Sequence, residues 1–404
     1  MIERVRALRD SRLVYAAGPL WVLALNALIA LHGRLHPGDV YYGSGFFYDS
    51  QFYVGMSQRP VSLPMTCVGP PYCWRPLAPL VAHLLPGPPG VTFVVLTVTC
   101  LALTCLAVSW LLRCAGLDRG TAAWGGMAFA TLGPATGVTL FDVARVDPLA
   151  FLLLALVVGA TLRRRRGLAA GMLILLAFAK ETALVGVVFQ LRKALRERGP
   201  YGWVLLGSAG VVAALVIVRL EVRLPPGVHN PFFDQVGTVT HYTIFPPRAV
   251  PRLLSATVGT WGFLAPLAAL QLVHPPRTWR KPEFVYLLAI ATAQIFVSGD
   301  VQRVVVYGFP AIILAAAAEV DYLCRRLAWR PWTIWLPLLA AQAVWSIPAD
   351  LGASVSPPES LTSEPLTIAL DLVLALATIA GVVGLRGLAK PGPPSTGAPQ
   401  PTSP

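Results

Sequence analysis

Long apolar segments follow one another along most of the chain, and short polar segments separate them. Several of them, including residues 13–32, 91–112, 121–140 and 201–220, approach the roughly 20 residues that a helix needs to cross a bilayer. Apolar residues are continuous within each segment rather than alternating, which favours helices over barrel strands. The pattern therefore predicts an all-α, polytopic integral membrane protein with about 11 to 12 transmembrane helices.

Two longer polar interruptions predict large loops on the outer side of the membrane. The first outer loop covers residues 33–90 and the second covers residues 221–251. Inside the first loop, the short apolar segment after Arg75 cannot cross a bilayer, so we expect short helices on the outer surface. Residues 1–386 are then one multi-span membrane domain. Residues 387–404 are rich in Pro, Ser and Thr, which predicts a disordered cytoplasmic tail.

A different interruption divides the apolar run of residues 167–191. Lys180, Glu181 and Thr182 separate two arms that are each too short to cross the bilayer. An ionised side chain inside a bilayer costs about 2.5–3.5 kcal/mol, so such groups usually face a cavity or one another. Neighbouring residues point apart on a helix, so Lys180 and Glu181 need separate partners or a break in the helix. We expect a short broken hairpin with both residues in a cavity below the outer surface.

The distribution of charge gives an orientation. Basic residues are concentrated in alternate short loops, and by the positive-inside rule both termini are expected to be cytoplasmic, in a plasma (inner) membrane. The net charge of +13 does not favour nucleic acid as a partner, because the basic residues are spread over these loops rather than collected on one face. The first apolar segment is too long for a signal peptide and lacks a cleavage site, so we expect it to remain as an anchor.

Residues 41–53 surround one carboxylate with aromatic rings. Asp49 has Tyr48, Ser50 and Gln51 beside it. Such a mixture suits a site that stacks against flat apolar surfaces and holds one acid or base. The alternative is an aromatic belt at the membrane surface, where Tyr and Trp are enriched.

Other polar residues occur at predicted span ends on the same outer side. Charges in outer loops are often simply solvated, but Lys180 and Glu181 interrupt an apolar run and so fit that interpretation badly. The residues that share this side are Asp49, Arg75, Asp142, Arg145, Asp147, Lys180, Glu181, His241, Asp300 and Arg303.

Four sequence segments resemble GT-C-type membrane glycosyltransferases, which use polyprenyl-phosphate sugars and include mannosyltransferases. They are YDSQFY (48–53), WRPLAPL (74–80), DPLA (147–150) and FAKETA (178–183), and Arg303 before the Phe309-Pro310 pair adds a fifth feature. The resemblance covers roughly residues 13–322. Ser50 stands where the family usually has Gly.

The resemblance implies a GT-C-like fold and transfer of a sugar, with inversion, from a polyprenyl-phosphate donor to a cell-envelope acceptor hydroxyl. The acceptor is a glycan, a lipid or a protein, and the reaction takes place at the extracytoplasmic face. Asp49 is the expected general base, with Asp142, Asp147 and Asp300 as alternatives. Cations would stabilise the leaving phosphate, with Arg303 as the first candidate. The residues expected to bind substrate are Arg75, Asp142, Arg145, Asp147, Lys180, Glu181, Asp300, Arg303, Tyr48 and Gln51.

The sequence leaves some choices open. The paired carboxylates of some GT-C subfamilies are absent, so no metal is indicated, although a divalent ion stays an option. Cys67 and Cys73 share the first outer loop and could form a disulfide if that side is oxidising. A lipid or small-molecule transporter or flippase would also use buried charges and broken helices. A non-catalytic relative of the transferases is the remaining alternative.

Overall fold

The computed structural model of the chain is almost entirely helical and describes residues 2–35, 49–58, 65–66, 74–199, 201–223, 253, 255–273, 282–296, 301–352 and 365–388. We number its α-helices in chain order. They are α1 Ile2–Leu35, α2 Asp49–Gln58, α3 Leu77–Leu84, α4 Pro89–Cys114, α5 Arg119–Ala130, α6 Gly137–Phe141, α7 Asp147–Leu162, α8 Arg166–Ala179, α9 Ala183–Glu197, α10 Gly202–Glu221, α11 Leu264–Val273, α12 Pro282–Ala293, α13 Val301–Val305, α14 Phe309–Leu327, α15 Pro331–Gly352 and α16 Pro365–Leu388.

Short elements complete this part of the chain. A π-helical turn covers Ser255–Gly259, and 3₁₀ turns cover Gln294–Phe296 and Val306–Gly308. The strands Met65–Thr66 and Val222–Arg223 pair in parallel and form a two-stranded bridge. The all-α prediction did not include this bridge, because two-residue strands have no periodicity that a sequence can reveal.

Four helical segments in the described residues are long and apolar enough to cross a membrane. They are Leu13–Leu31, Pro89–Cys114, Gly202–Glu221 and Gln302–Leu327. Shorter apolar helices cover several of the other predicted crossings, including α7 and α8. Leucine and valine side chains are exposed on the outside of α1, α4 and α10, where lipid would cover them. These features indicate a membrane-embedded helical protein.

A continuous apolar core holds the helices together. Helix α4 packs against α1, α5 and α7, and α7 continues to α8, which in turn packs against α10. At the centre, the rings of Phe129, Phe151 and Phe309 contact one another at centroid distances of 5.0–6.0 Å. This core joins α5, α7 and α14, and therefore fixes the start of α7 relative to the segment before α14.

The predicted single crossing at residues 121–140 is wrong in one respect. Helix α5 ends at Ala130 and α6 begins only at Gly137, so the segment is broken in the middle. Pro134 lies in the break, and a proline inside a helix removes one hydrogen bond and clashes with the preceding turn. The Thr136 hydroxyl lies 3.0 and 2.9 Å from the carbonyl oxygens of Ala130 and Leu132, and its one proton can be donated to either of them at the break.

The broken hairpin occurs where the sequence predicted it. Helix α8 ends at Ala179, Lys180 has extended backbone angles, and α9 begins at Ala183. Two short helices, α2 and α3, also lie inside the predicted first outer loop. Because Lys180 and Glu181 lie between two helices rather than within one, their side chains can point to separate partners.

Candidate functional site

Asp147 is the centre of a buried network of charged residues. It is the first residue of α7, it is completely buried, and Pro148 follows it in the first turn. Arg303 Nε donates to Asp147 Oδ2 at 2.9 Å, and Arg303 Nη2 lies 2.7 Å from the same oxygen. The Tyr307 hydroxyl donates to Oδ1 at 2.7 Å, and Lys180 Nζ donates to Oδ1 as well. Both carboxylate oxygens are thus engaged.

Three separate parts of the chain bring these groups together. Asp147 opens α7, and the negative side chain is favoured at this positive end of the helix dipole. Lys180 comes from the link between α8 and α9, and its Nζ also lies 4.8 Å from the centre of the Tyr307 ring. Arg303 and Tyr307 lie four residues apart in the segment before α14, a spacing that places side chains on the same helical face.

A second group of polar residues lies beside the first. Arg75 Nε donates to Glu181 Oε2 at 3.0 Å, and Arg75 Nη1 donates to the Tyr53 hydroxyl at 3.1 Å. Tyr53 is on α2 and is completely buried. Because Glu181 follows Lys180 directly, this pair is joined to the Asp147 network through adjacent residues of the link.

Three polar atoms, on Glu181 and on the residues next to Arg75 and Glu181 in the chain, are buried without a hydrogen-bond partner among the described residues. They are Glu181 Oε1, Thr182 Oγ1 and Trp74 Nε1. The Arg219 guanidinium carbon lies 4.8 Å from the centre of the Trp74 ring and holds the indole in place. A buried polar atom without a partner costs free energy, so each of these atoms is suited to bind a polar group of a ligand.

A third pair lies in the link before α7. Arg145 Nε donates to Asp142 Oδ2 at 2.7 Å, and the Ser50 hydroxyl on α2 donates to Asp142 Oδ1. Ser50 is completely buried and Asp142 is nearly so. Helix α2 is therefore held against the site at two points, through Ser50 and through Tyr53.

The first two groups bring three cations close together. Arg75, Lys180 and Arg303 contribute three cations, whereas Asp147 and Glu181 contribute two carboxylates. The charges of Arg75 and Arg303 both act on Lys180, so the three cations are close together. Electrostatic attraction is stronger in such a buried environment than in water, and clustered cations favour an anionic partner. Such a site can accept an anion.

Lys180 is the cation whose protonation is most easily changed. It lies in the link outside both neighbouring helices and is 4% exposed. Burial lowers the pKa of Lys180 to about 8; Asp147 opposes this shift, whereas the positive charges of Arg303 and Arg75 add to it. The ammonium is therefore protonated at neutral pH but loses its charge in mildly alkaline solution.

The structure brings together five of the eleven site residues predicted from sequence. Arg75, Asp147, Lys180, Glu181 and Arg303 form the two connected groups described above. Asp142 and Arg145 pair with each other. Gln51 is on α2 with an exposed side chain. Tyr48 and Asp300, like the side chain of Asp49, lie outside the described part of the chain, as do Cys67 and Cys73. The backbone of Asp49 begins α2, next to Ser50.

Sequence reasoning missed Tyr307 and the specific role of Tyr53. Tyr307 could have been found from its spacing of four residues from Arg303 in a helical segment. Tyr53 was included only as one ring of an aromatic stretch, and no pattern indicated that its hydroxyl would accept a hydrogen bond from Arg75.

The carboxylates differ in how many hydrogen bonds their oxygens accept. Asp147 receives three donors and Asp142 receives two, so their oxygens are occupied. Glu181 uses only Oε2 with Arg75, and its side chain keeps 26% exposure. Among the carboxylates whose side chains are described, Glu181 is thus the one in this region with an oxygen left to receive a proton.

Metal ligands are not grouped in the described residues, where no set of three His, Cys, Asp or Glu side chains could hold an ion. No known family model matches this chain, and comparison with curated proteins also gives no match.

Proposed function

We propose that this protein is a membrane glycosyltransferase that transfers a sugar from a polyprenyl-phosphate donor to an acceptor hydroxyl of the cell envelope. The observation that carries the proposal is the cluster of three cations, Arg75, Lys180 and Arg303, held together around Asp147 and Glu181. A lipid-linked phosphate is an anion that would be delivered from within the membrane. The site lies at the ends of the apolar helices α7 and α8, where such a donor could reach it.

The cations would bind and stabilise the leaving phosphate. In the reaction, the acceptor oxygen bonds to the anomeric carbon, and the bond from that carbon to the phosphate oxygen breaks. The electron pair of the broken bond remains on the phosphate, whose negative charge grows in the transition state. Arg303 is well suited to this role because a guanidinium binds phosphate oxygens through two donors. Asp147 would position Arg303 and Lys180 rather than react.

A carboxylate must take the proton of the acceptor hydroxyl. Asp49 is the base expected from the resemblance, and it lies on the helix whose Ser50 and Tyr53 contact the site. Glu181 is the second candidate, since its Oε1 has no hydrogen-bond partner among the described residues. Attack from the face opposite the phosphate by this single displacement would invert the configuration at the anomeric carbon.

Unsatisfied polar atoms would recognise the sugar. Glu181 Oε1 can accept a hydrogen bond from a sugar hydroxyl, Trp74 Nε1 can donate one, and Thr182 Oγ1 can do either. In this arrangement Arg75 keeps Glu181 oriented toward the substrate. If Glu181 only binds sugar, its loss weakens substrate binding; if it is the base, its loss affects the rate of transfer.

The test separates these roles by measuring donor binding and transfer in membranes at matched expression. We expect the base variant, either Asp49→Asn or Glu181→Gln, to keep donor binding but lose about 10²–10⁴-fold in transfer. Arg303→Ala should lose both donor binding and transfer. Glu221→Gln is the matched control, because it makes the same chemical change at an exposed position at the end of α10. Full transfer by both carboxylate variants would refute the proposed base chemistry.

A further inference from the structure

A cavity lined by several charged residues lies at the other end of the same helices. It has a volume of about 50 Å³, enough for several water-sized groups. Thr161, near the end of α7, contributes to its lining, and the helical rise places this residue about 21 Å from Asp147 along the axis. Arg166 at the start of α8 and Glu197 at the end of α9 line it too. The cavity is therefore separate from the candidate site.

Positive charge predominates in this lining. Arg164, Arg166 and Lys193 contribute three cations, and Glu197 is the single carboxylate among the lining residues. Lys193 Nζ donates to Glu197 Oε1 at 2.6 Å, whereas Arg164 Nη2 lies 3.9 Å from that oxygen. One carboxylate neutralises one cation, so two positive charges remain in excess.

The cavity is also built from buried groups rather than from surface side chains alone. Lys193 and Gln190 are both more than nine-tenths buried. Gln190 Nε2 donates to the carbonyl oxygen of Ala169 at 3.2 Å, which holds α9 against α8 at the cavity. Arg164 has a backbone φ of 58°, a conformation that non-glycine residues seldom adopt. The link between α7 and α8 is thus held in a strained turn that places Arg164 at the cavity.

We propose that this cavity binds the phosphate of an anionic phospholipid. The first turns of α8 and α10 both face it, through Arg166 and through Trp203 and Val204. Amide groups in a first turn have no partner within their helix, and they favour an anion together with the positive end of the dipole. Basic cavities between membrane helices bind lipid headgroups through this combination of charge and shape.

The surroundings favour a lipid over free phosphate. Trp203 is 47% exposed at the cavity, and tryptophan is enriched at the boundary between headgroups and acyl chains. Immediately beyond it on α10, Leu205 and Leu206 are exposed on a helix that is long and apolar enough to cross a membrane. Leu195 on α9 is exposed as well. A headgroup in the cavity would therefore have an apolar surface beside it for its acyl chains.

The test uses the purified full-length protein in detergent and counts bound lipid by native mass spectrometry. Phosphatidylglycerol and phosphatidylcholine with identical acyl chains are the probes. We expect preferential binding of phosphatidylglycerol by the wild type. In the double variant R164Q/R166Q, the affinity for it should fall about tenfold or more, since each basic residue near an anionic lipid contributes about 1 kcal/mol.

The matched control is R163Q/R165Q, which removes the same charge from the same link. All four arginines are exposed, but Arg163 and Arg165 do not line the cavity. The proposal predicts a much smaller loss for the control pair. Equal losses of affinity in the two double variants would refute lipid binding at the cavity and would assign it to diffuse surface charge. Displacement of the lipid by millimolar inorganic phosphate would refute the lipid as the natural source of the bound phosphate.

Discussion

Replacing Asp147 by Asn should destabilise the protein more than any other single polar change at the site. The substitution keeps the shape of the side chain but removes the charge that pairs with Lys180 and Arg303. The new amide group also presents a donor in place of one acceptor oxygen. Two cations would then be buried together without their shared counter-charge.

The size of the effect follows from the contacts. Breaking a buried ion pair by removing one partner typically costs about 3–5 kcal/mol, because the remaining charge is uncompensated. Asp147 is completely buried and contacts both cations, so we expect a loss in this range. Tyr307→Phe removes a single hydrogen bond to the same carboxylate and should cost about 1.5–3 kcal/mol.

Thermal unfolding in detergent, followed by tryptophan fluorescence, measures the two losses under identical conditions. The midpoint should fall further for Asp147→Asn than for Tyr307→Phe. Adding Arg303→Gln to Asp147→Asn should restore part of the stability, because it removes one of the two cations that lose Asp147 as their counter-charge. The reasoning is refuted if Asp147→Asn unfolds at the wild-type temperature, or if the second substitution only adds to the loss.

Two further predictions concern packing and pH. Gly126→Ala places a Cβ 2.5 Å from the Cys105 carbonyl oxygen and should destabilise the protein at the α4–α5 contact by about 1–3 kcal/mol. In the control Gly171→Ala, the added Cβ meets nothing within 4 Å, so this variant should be tolerated. Thermal unfolding of the two variants measures the difference. Because the lowered pKa of Lys180 is about 8, Lys180 loses its proton above that pH, and donor affinity in binding assays should fall by up to about tenfold per pH unit. Lys180→Arg should abolish that dependence, and an unchanged slope would contradict the assignment.

The lengths of the apolar segments and the positions of charged residues predicted much of the helical framework. The apolar segment 91–112 corresponds to the helix Pro89–Cys114, and the segment predicted at 201–220 corresponds to the helix Gly202–Glu221. Lys180 and Glu181 marked a helix break because ionised residues are costly inside an apolar run. These features depend on neighbouring residues along the chain, which is the information that a single sequence carries.

Contacts between distant segments were harder to predict. Asp147 was one of several possible bases, but its position among Lys180, Arg303 and Tyr307 indicates a structural role for its carboxylate. Those partners lie 33 to 160 residues away, and no local pattern records such pairing. The break at Pro134 was also missed, since the flanking apolar residues continued the hydrophobic pattern through it.

Sugar transfer from a polyprenyl-phosphate donor is the most direct measurement of the proposed activity. Membranes containing the wild-type protein should transfer labelled sugar to an endogenous acceptor, and membranes with Arg303→Ala at equal expression should not. This result would link the buried cations to a lipid-phosphate leaving group. Absence of transfer by the wild type across a panel of donors, or full transfer by Arg303→Ala, would contradict the account, and transport of the lipid would then be the activity to assay.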